Sequence, residues 1–292
     1  MINKKMDPNQ KVIYSIVEKH MKGTRKAGEG PRSLIESLNL QEREMISLVG
    51  AGGKTTLMFR LARELFLEGK KVVTTTTTKI LEPVSGETSF LYIDRDEDRL
   101  KDFILQRLNQ YHHVTIARER LESGKLEGVS SNLVNDLWSS RKIDTMIIEA
   151  DGAAGRSVKA PREKEPVIPS KTTLVVALLG VDGVGMELNA ENVFQAERVS
   201  KMTGIPIGEK MTHEAMAVLM THSEGIFKGT PSSSRVIAFL NKVDIPDGMI
   251  RGKGVAQKIL EKKHPRIERV VLGQTKKEPP VADVIVSPHH RH

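Results

Sequence analysis

The chain has 292 residues, 38% hydrophobic and 28% charged, which allows a packed core and excludes disorder along its whole length. It contains no Cys, which excludes disulfides, cysteine-based zinc sites and iron–sulfur clusters, and no apolar run approaches the ~18 residues of a membrane span. The net charge of +8 sits at the ends: residues 1–30 carry +4 and residues 251–292 carry +6, leaving the body at −2. With three Tyr, one Trp and seven Phe, that is the pattern of solvated basic ends and not of a nucleic-acid surface.

The opening "MINKKMDPNQ" lacks an apolar signal region, so a cytoplasmic protein is expected. Residues 9–22 can form a short amphipathic helix, and "GTRKAGEGP" reads as a linker, which makes residues 1–30 a flexible basic segment. "RSLIESLNL" is a second short helix and "EMISLVG" a buried strand. From Thr55, apolar residues at Leu57, Met58, Leu61, Ala62 and Leu65 have helical spacing, stopped by Gly69. "KKVVTTTTT" and "SFLYID" are strands, and a charged helix follows near 96–110. "HHVTIARE" and "DTMIIEADG" are strands separated by a helix containing "SSNLVNDLW". "TTLVVALLG" is another strand, followed by a mostly helical stretch from Ala190 to about Leu219. "SRVIAFLNKVD" is a strand, then come a helix near 253–263 and the strand "ERVVLG". Apolar strands alternating with helices predict an α/β fold, a mostly parallel sheet with helices on both faces. Residues 31–292 are expected to form that domain, with 185–232 as a helical excursion.

Three strand ends carry the chemistry. "VGAGGKTT" follows the first strand and opens a helix, the context of a phosphate-binding loop. Gly50, Ala51, Gly52 and Gly53 leave room for backbone N–H groups to converge on phosphate oxygens. Lys54 can reach the β- and γ-phosphates, the Thr55 hydroxyl can ligate Mg²⁺, and Thr56 is expected with them at the nucleotide. The glycine usual four residues before Gly52 is Leu48, so the loop is short and resembles the compact loop of the Mur ligases. At the second strand end, Glu149 and Asp151 alternate onto one side, as a Walker-B acid is presented to Mg²⁺, and Gly152 can admit a γ-phosphate. Thr74–Thr76 read as plain strand formers. Thr77, Thr78 and Lys79, with Arg156 and Lys159 of a proline-braced basic loop, are candidates for an anionic second substrate or for solvated surface. At the third strand end, Asn241, Lys242 and Asp244 form the N-K-x-D tetrad, in which the acid accepts from guanine N1–H and N2–H₂. Paired histidines at 112–113 and in the tail do not supply fixed metal geometry.

The order "VGAGGKTT", "IIEADG", "LVVALLG", "FLNKVD" is similar to that of the maturation GTPases that help nickel insertion, where an E-x-x-G element replaces D-x-x-G. This chain lacks their Cys ligands. The blocks "VGAGGKTTL", "TTTTTKI", "IIEADGAAGRSVKAP", "EPVIP", "EGIFKGTP" and "LNKVD" together resemble the YqeC family over roughly residues 31–275. That resemblance implies the P-loop NTPase fold and an accessory role in the maturation of a selenium-containing molybdenum hydroxylase or its cofactor. The expectation is a Mg²⁺-dependent triphosphatase with GTP, or else ATP, as nucleotide, and with a client hydroxylase or cofactor-pathway protein as partner. Lys54, Glu149 and Asp151 would be catalytic; Thr55, Glu149 and Asp151 would hold the metal. The alternatives are an ATP-dependent kinase or ligase for a small anionic substrate, and a non-catalytic nucleotide sensor. No membrane partner is expected, and the oligomeric state stays open.

Overall fold

The computed structural model describes residues 32–287. The basic segment 1–30 with its helix and linker, and the tail histidines His289, His290 and His292, lie outside the described residues. Within them the strands are β1 (Glu44–Gly50), β2 (Val72–Thr76), β3 (Lys79–Leu81), β4 (Phe90–Ile93), β5 (His113–Ala117), β6 (Glu119–Arg120), β7 (Lys125–Glu127), β8 (Thr145–Glu149), β9 (Val158–Lys159), β10 (Leu174–Gly180), β11 (Val193–Phe194), β12 (Arg235–Asn241), β13 (Ile267–Gly273) and β14 (Val281–Val286).

Nine of these form one sheet in the order β14-β13-β12-β10-β1-β8-β2-β5-β4. Every pairing is parallel except β13 with the edge strand β14. Chain order reverses around β1: β2, β4, β5 and β8 lie on one side, and β10, β12, β13 and β14 on the other. In an open parallel sheet such a reversal leaves a crevice beyond the carboxyl ends of the strands, where ligands bind.

The α/β class follows from burial on both faces. β1, β8 and β10 are buried at every position, which is why they read as unbroken apolar runs. Ile46 and Leu48 of β1 pack on one face against Leu57, Met58, Leu61, Ala62 and Leu65 of the helix Lys54–Leu67. Met45 and Val49 face the other way. Met45 joins the core under the helices Glu97–Tyr111 and Ser131–Ser139. Val49 joins the core under Ala196–Thr203, His213–Thr221 and Gly248–Glu261. Each fully buried Leu or Met contributes about 2 kcal/mol of transfer free energy, so the helices are held by these stripes more than by their own propensity.

The elements differ from the sequence expectation where local signals are short. The stretch expected to be mostly helical from Ala190 breaks into two helices, because Gly204, Pro206 and Gly208 interrupt it. The last helix starts at Gly248, ahead of the expected 253. The edge strand β14, the three-stranded antiparallel sheet β3-β7-β6 and the two-stranded β9–β11 pair were not foreseen. The strands of the two small sheets, of two or three residues each, are too short to show a period of two.

The threonine run of β2 illustrates how polar strand residues are buried. Thr74, Thr75 and Thr76 are fully inaccessible, and each hydroxyl has a partner. Thr75 donates to the Ile116 carbonyl and Thr76 to the Glu149 carbonyl. Thr74 meets Thr115 Oγ1 and, at 3.1 Å, Nε2 of His113. Burial pushes the His113 imidazole down to about 4. Its unfolded value is about 6.5, so the unfolded chain binds the proton first as pH falls. His113 thus contributes stability that is complete above pH ~6.5 and lost as pH falls through about 4, with a total near 3 kcal/mol. Between pH 6.5 and 4.5 the His113→Gln protein should lose stability less steeply than the wild type in urea unfolding. Parallel slopes would show that another group titrates there.

Candidate functional site

The carboxyl ends of β1, β8, β12 and β13, together with β3 and β7, surround a cavity of about 680 Å³. Its floor is the loop after β1. Gly50, Gly52 and Gly53 have φ of 96°, 89° and 121°, which L side chains rarely adopt. A Cβ on Gly52 would stand 2.4 Å from the Gly180 backbone nitrogen, so the loop is closed down on β10 and only glycine fits. The loop is also tied from several directions. Ala51 N–H donates to the Leu178 carbonyl and Gly52 N–H to the Arg156 carbonyl. The Gly50 N–H donates to both carboxylate oxygens of Asp151, at 3.1 and 3.0 Å. The Asn241 amide donates to the Gly52 carbonyl at 2.8 Å. Lys54, Thr55 and Thr56 begin the following helix and border the cavity. The N–H groups of a first helical turn have no intrahelical acceptors and, with the helix dipole, favour an anion there.

Two acids were expected to face a metal together, and the structure separates them. Glu149 borders the cavity and accepts a 2.7 Å hydrogen bond from the Thr55 hydroxyl. Asp151 is a correction: it is fully buried under the loop, where it accepts from Gly50 N–H and pairs with Lys54 at 3.2 Å and Lys159 at 2.9 Å. It holds the loop in place and presents no oxygen to the cavity. Thr55 and Glu149 are therefore the pair that fits a divalent cation. Among the described residues there is no cluster of three or more His, Cys, Asp or Glu able to hold a metal ion by itself. Two hard oxygen donors suit Mg²⁺, which takes few protein ligands and completes its shell with phosphate oxygens and water.

Lys54 is buried as well. Its ammonium donates to the Gly50 carbonyl at 2.6 Å and lies 3.2 Å from Asp151 and 3.5 Å from Glu149. Burial pulls its pKa down, but Asp151 and Glu149 together raise it above the ordinary lysine value. The Glu149 carboxyl is pushed up, by burial first, against the opposing pull of Lys54 and Thr55.

Of the residues expected at a second-substrate position, only two border the cavity. Lys79 does so from β3. Arg156 does so with its guanidinium held by the carbonyls of Ala154, Ala190 and Glu191. Lys159 does not: it is fully buried, its ammonium donating to Asp151, Glu165 and the Gly152 carbonyl. That pairing keeps Glu165 below the usual carboxylate range although burial opposes it. Thr77 and Thr78 are also turned into the fold, with hydroxyls on the Val167 carbonyl and on Thr76 Oγ1. Gly152 borders the cavity with open space on its Cβ side.

At the other end, Asn241, Lys242 and Asp244 line the cavity. Asn241 is buried and reads Thr275 in both directions: Nδ2 donates to Thr275 Oγ1 and Oδ1 accepts from Thr275 N–H. Lys242 reaches Ser157 Oγ at 2.6 Å and Asp182 at 2.7 Å. Asp244 is exposed. The sequence reading missed Thr275 and Lys276 after β13, Asp182 after β10, and Lys125 on β7. The first three were findable, since polar residues just after an apolar strand of a parallel sheet stand on the ligand side.

Lys54→Met should remove the charge that compensates Glu149 and half of that compensating Asp151. Breaking a buried pair from one side costs about 3–5 kcal/mol, so the ligand-free variant should unfold at lower urea than wild type at pH 7.5. The gap should shrink as pH falls, because burial already favours the neutral Glu149 carboxyl and loss of Lys54 removes a pull against it. Equal midpoints at every pH would mean that Lys54 is not the cation those carboxylates rely on.

Comparison with known proteins bears on the whole chain. The family model "YqeC protein" matches residues 46–197. The "Uncharacterized protein YqeC" of Escherichia coli (strain K12) is 31% identical over 254 residues, covering 86% of this chain and 96% of the relative. Among solved structures, the chain is similar to FtsY from Mycoplasma mycoides, at 13% identity and a TM-score of 0.37, covering 95% of this chain and 72% of the other. It is also similar to the signal recognition particle 54 kDa protein from Aeropyrum pernix K1 in complex with GDP, at 17% identity and a TM-score of 0.33, covering 89% of this chain and 47% of the other. The mostly parallel α/β sheet, the matched blocks and the near full-length relative agree: this chain belongs to the YqeC family.

Proposed function

We propose that this protein is a Mg²⁺-dependent nucleoside triphosphatase that prefers GTP and serves as an accessory factor in the maturation of a selenium-containing molybdenum hydroxylase or its cofactor. The observation that carries the enzymatic part is the cavity itself. A glycine loop with a lysine at a helix N-terminus, an acid–hydroxyl pair and an N-K-x-D tetrad border one space, which supports a nucleoside triphosphate as its ligand. The accessory role rests on the family resemblance.

The phosphates are placed on the N-terminus of the helix Lys54–Leu67, where backbone N–H groups and the dipole favour negative charge. Lys54 moves from the Gly50 carbonyl to the phosphate oxygens, exchanging one set of anions for another. Mg²⁺, when bound, neutralises charge developing on the phosphates. Thr55 and Glu149 would hold it. Glu149, whose carboxyl burial has pushed up, stands where it can orient the attacking water. Asp244 accepts from the guanine edge, and Asn241 fixes its loop to the phosphate loop through Gly52.

Glu149→Gln should keep triphosphate binding within a few-fold and lower the hydrolysis rate by at least about a hundredfold, the scale of a lost acid–base or electrostatic group. Hydrolysis at the wild-type rate would leave Glu149 a structural acid only. Base preference is tested at Asp244. Xanthine has a carbonyl where guanine has its amino group, so Asp244→Asn should lose GTP affinity by about tenfold or more and gain xanthosine triphosphate. An unchanged preference for ATP over GTP in both proteins would put the kinase or ligase reading ahead. Binding without turnover would favour a nucleotide sensor.

A further inference from the structure

The sheet order orients any nucleotide in the cavity. The tetrad after β12 lies two strands from β1 on one side, and β2, which continues into β3, lies two strands from β1 on the other. At about 4.8 Å per strand, the base end and the β3 end are some 19 Å apart across the phosphate loop. A nucleotide with its base at Asp244 therefore points its terminal phosphate toward Glu149 and then toward β3.

What stands there is not needed by the nucleotide. β3 pairs with β7 in the register Lys79–Glu127, Ile80–Leu126, Leu81–Lys125. Directly opposed residues share a face, so Lys79, Glu127, Leu81 and Lys125 stand on one surface, and Lys79 and Lys125 are diagonal neighbours close enough to bracket one anionic group. Lys79, Leu81 and Lys125 line the cavity and Glu127 does not; Ile80, at the same wall, turns to the core and is 2% exposed. Leu81 is 61% exposed, a large apolar side chain left in water at the cavity edge. Among the described residues neither lysine forms a salt bridge, although Arg120 and Glu82 of the same small sheet pair with each other. The sheet is fixed to the active end: Gly128 N–H donates to the Thr78 carbonyl, Val129 N–H to the Thr76 carbonyl, and Thr77 N–H to the Glu149 carbonyl.

We infer that the cavity carries a second subsite beyond the terminal phosphate, in which Lys79 and Lys125 bind the carboxylate or phosphate group of a small organic anion while Leu81 covers its carbon framework. This rests on the triphosphate occupying the loop after β1, as proposed above. The subsite gives the nucleotide a co-substrate placed against its reactive end.

The test uses the full chain and a Lys79→Gln/Lys125→Gln double variant, each first saturated with a non-hydrolysable triphosphate analogue, the guanosine form and then the adenosine form. Phenyl phosphate, benzoate and inorganic phosphate are then titrated by calorimetry. The analogue should bind both proteins with the same affinity within about twofold. Phenyl phosphate or benzoate should bind the loaded wild type, whichever is tighter naming the anionic group, and should bind the variant at least about tenfold more weakly. Inorganic phosphate, which lacks the framework, should bind the wild type more weakly than phenyl phosphate, and Leu81→Ser should remove that difference. Equal organic-anion binding by wild type and variant, or none by the wild type, overturns the subsite alone. Loss of the analogue in the double variant overturns it too, by assigning the lysines to the nucleotide. Failure of both analogues to bind the wild type overturns the nucleotide site and the subsite with it.

Discussion

A buried carboxylate, Asp151, organises this protein's functional edge. It has no access to water, so its charge must be met by the protein, and three groups meet it: the Gly50 N–H, which donates to both oxygens, Lys54 and Lys159. Two of those partners belong to the phosphate loop and one to the segment after the acidic strand. The loop geometry, the position of Lys54 and the course of residues 152–166 are therefore solutions to one electrostatic requirement. Lys159 brings in Glu165, and Lys54 brings in Glu149, so the two ammonium groups and three carboxylates form a connected cluster. Charges this deep are tolerated only when paired and hydrogen-bonded.

Much of the fold was legible because burial on both faces writes itself into sequence. β1, β8, β10 and β12 are apolar runs ending in glycine or polar residues, and each was readable with its boundaries nearly right. The helix after β1 was legible from the spacing of Leu57, Leu61 and Leu65. What could not be read was the direction in which long polar side chains turn. Lys79 and Lys159 look alike in sequence, yet one reaches the cavity and the other is sealed beneath it; only the presence of Asp151 and Glu165 in three dimensions decides. Glu149 and Asp151 also share a strand face by alternation, but β8 ends at Glu149, so the alternation no longer governs Asp151. Thr275 was findable as a polar residue just after an apolar strand, but its pairing with Asn241, thirty-four positions away, was not.

The cavity is assembled from strand ends that are far apart in sequence and adjacent in the sheet. Because β1 is central, its loop is flanked on one side by the acid of β8 and on the other by the strands that carry the tetrad. Each neighbouring loop also hydrogen-bonds to the phosphate loop: Arg156 through its carbonyl, Asn241 through its amide, Leu178 through its carbonyl. The floor of the site is thus tied from several sides, which suits the phosphate positioning proposed for it. Its walls are the loops after β8 and β12 and the small antiparallel sheet.

Lys242 gives those walls a common currency. Its backbone sits at φ of 69°, an unusual place for a residue with a side chain, and its ammonium is shared by Ser157 and Asp182. Any ligand that draws this ammonium toward itself takes it from Ser157, and so loosens the segment that also supplies the Arg156 carbonyl to Gly52. Linkage makes that relation reciprocal: a partner that steadies the segment around Ser157 must change the affinity at the tetrad by the same factor.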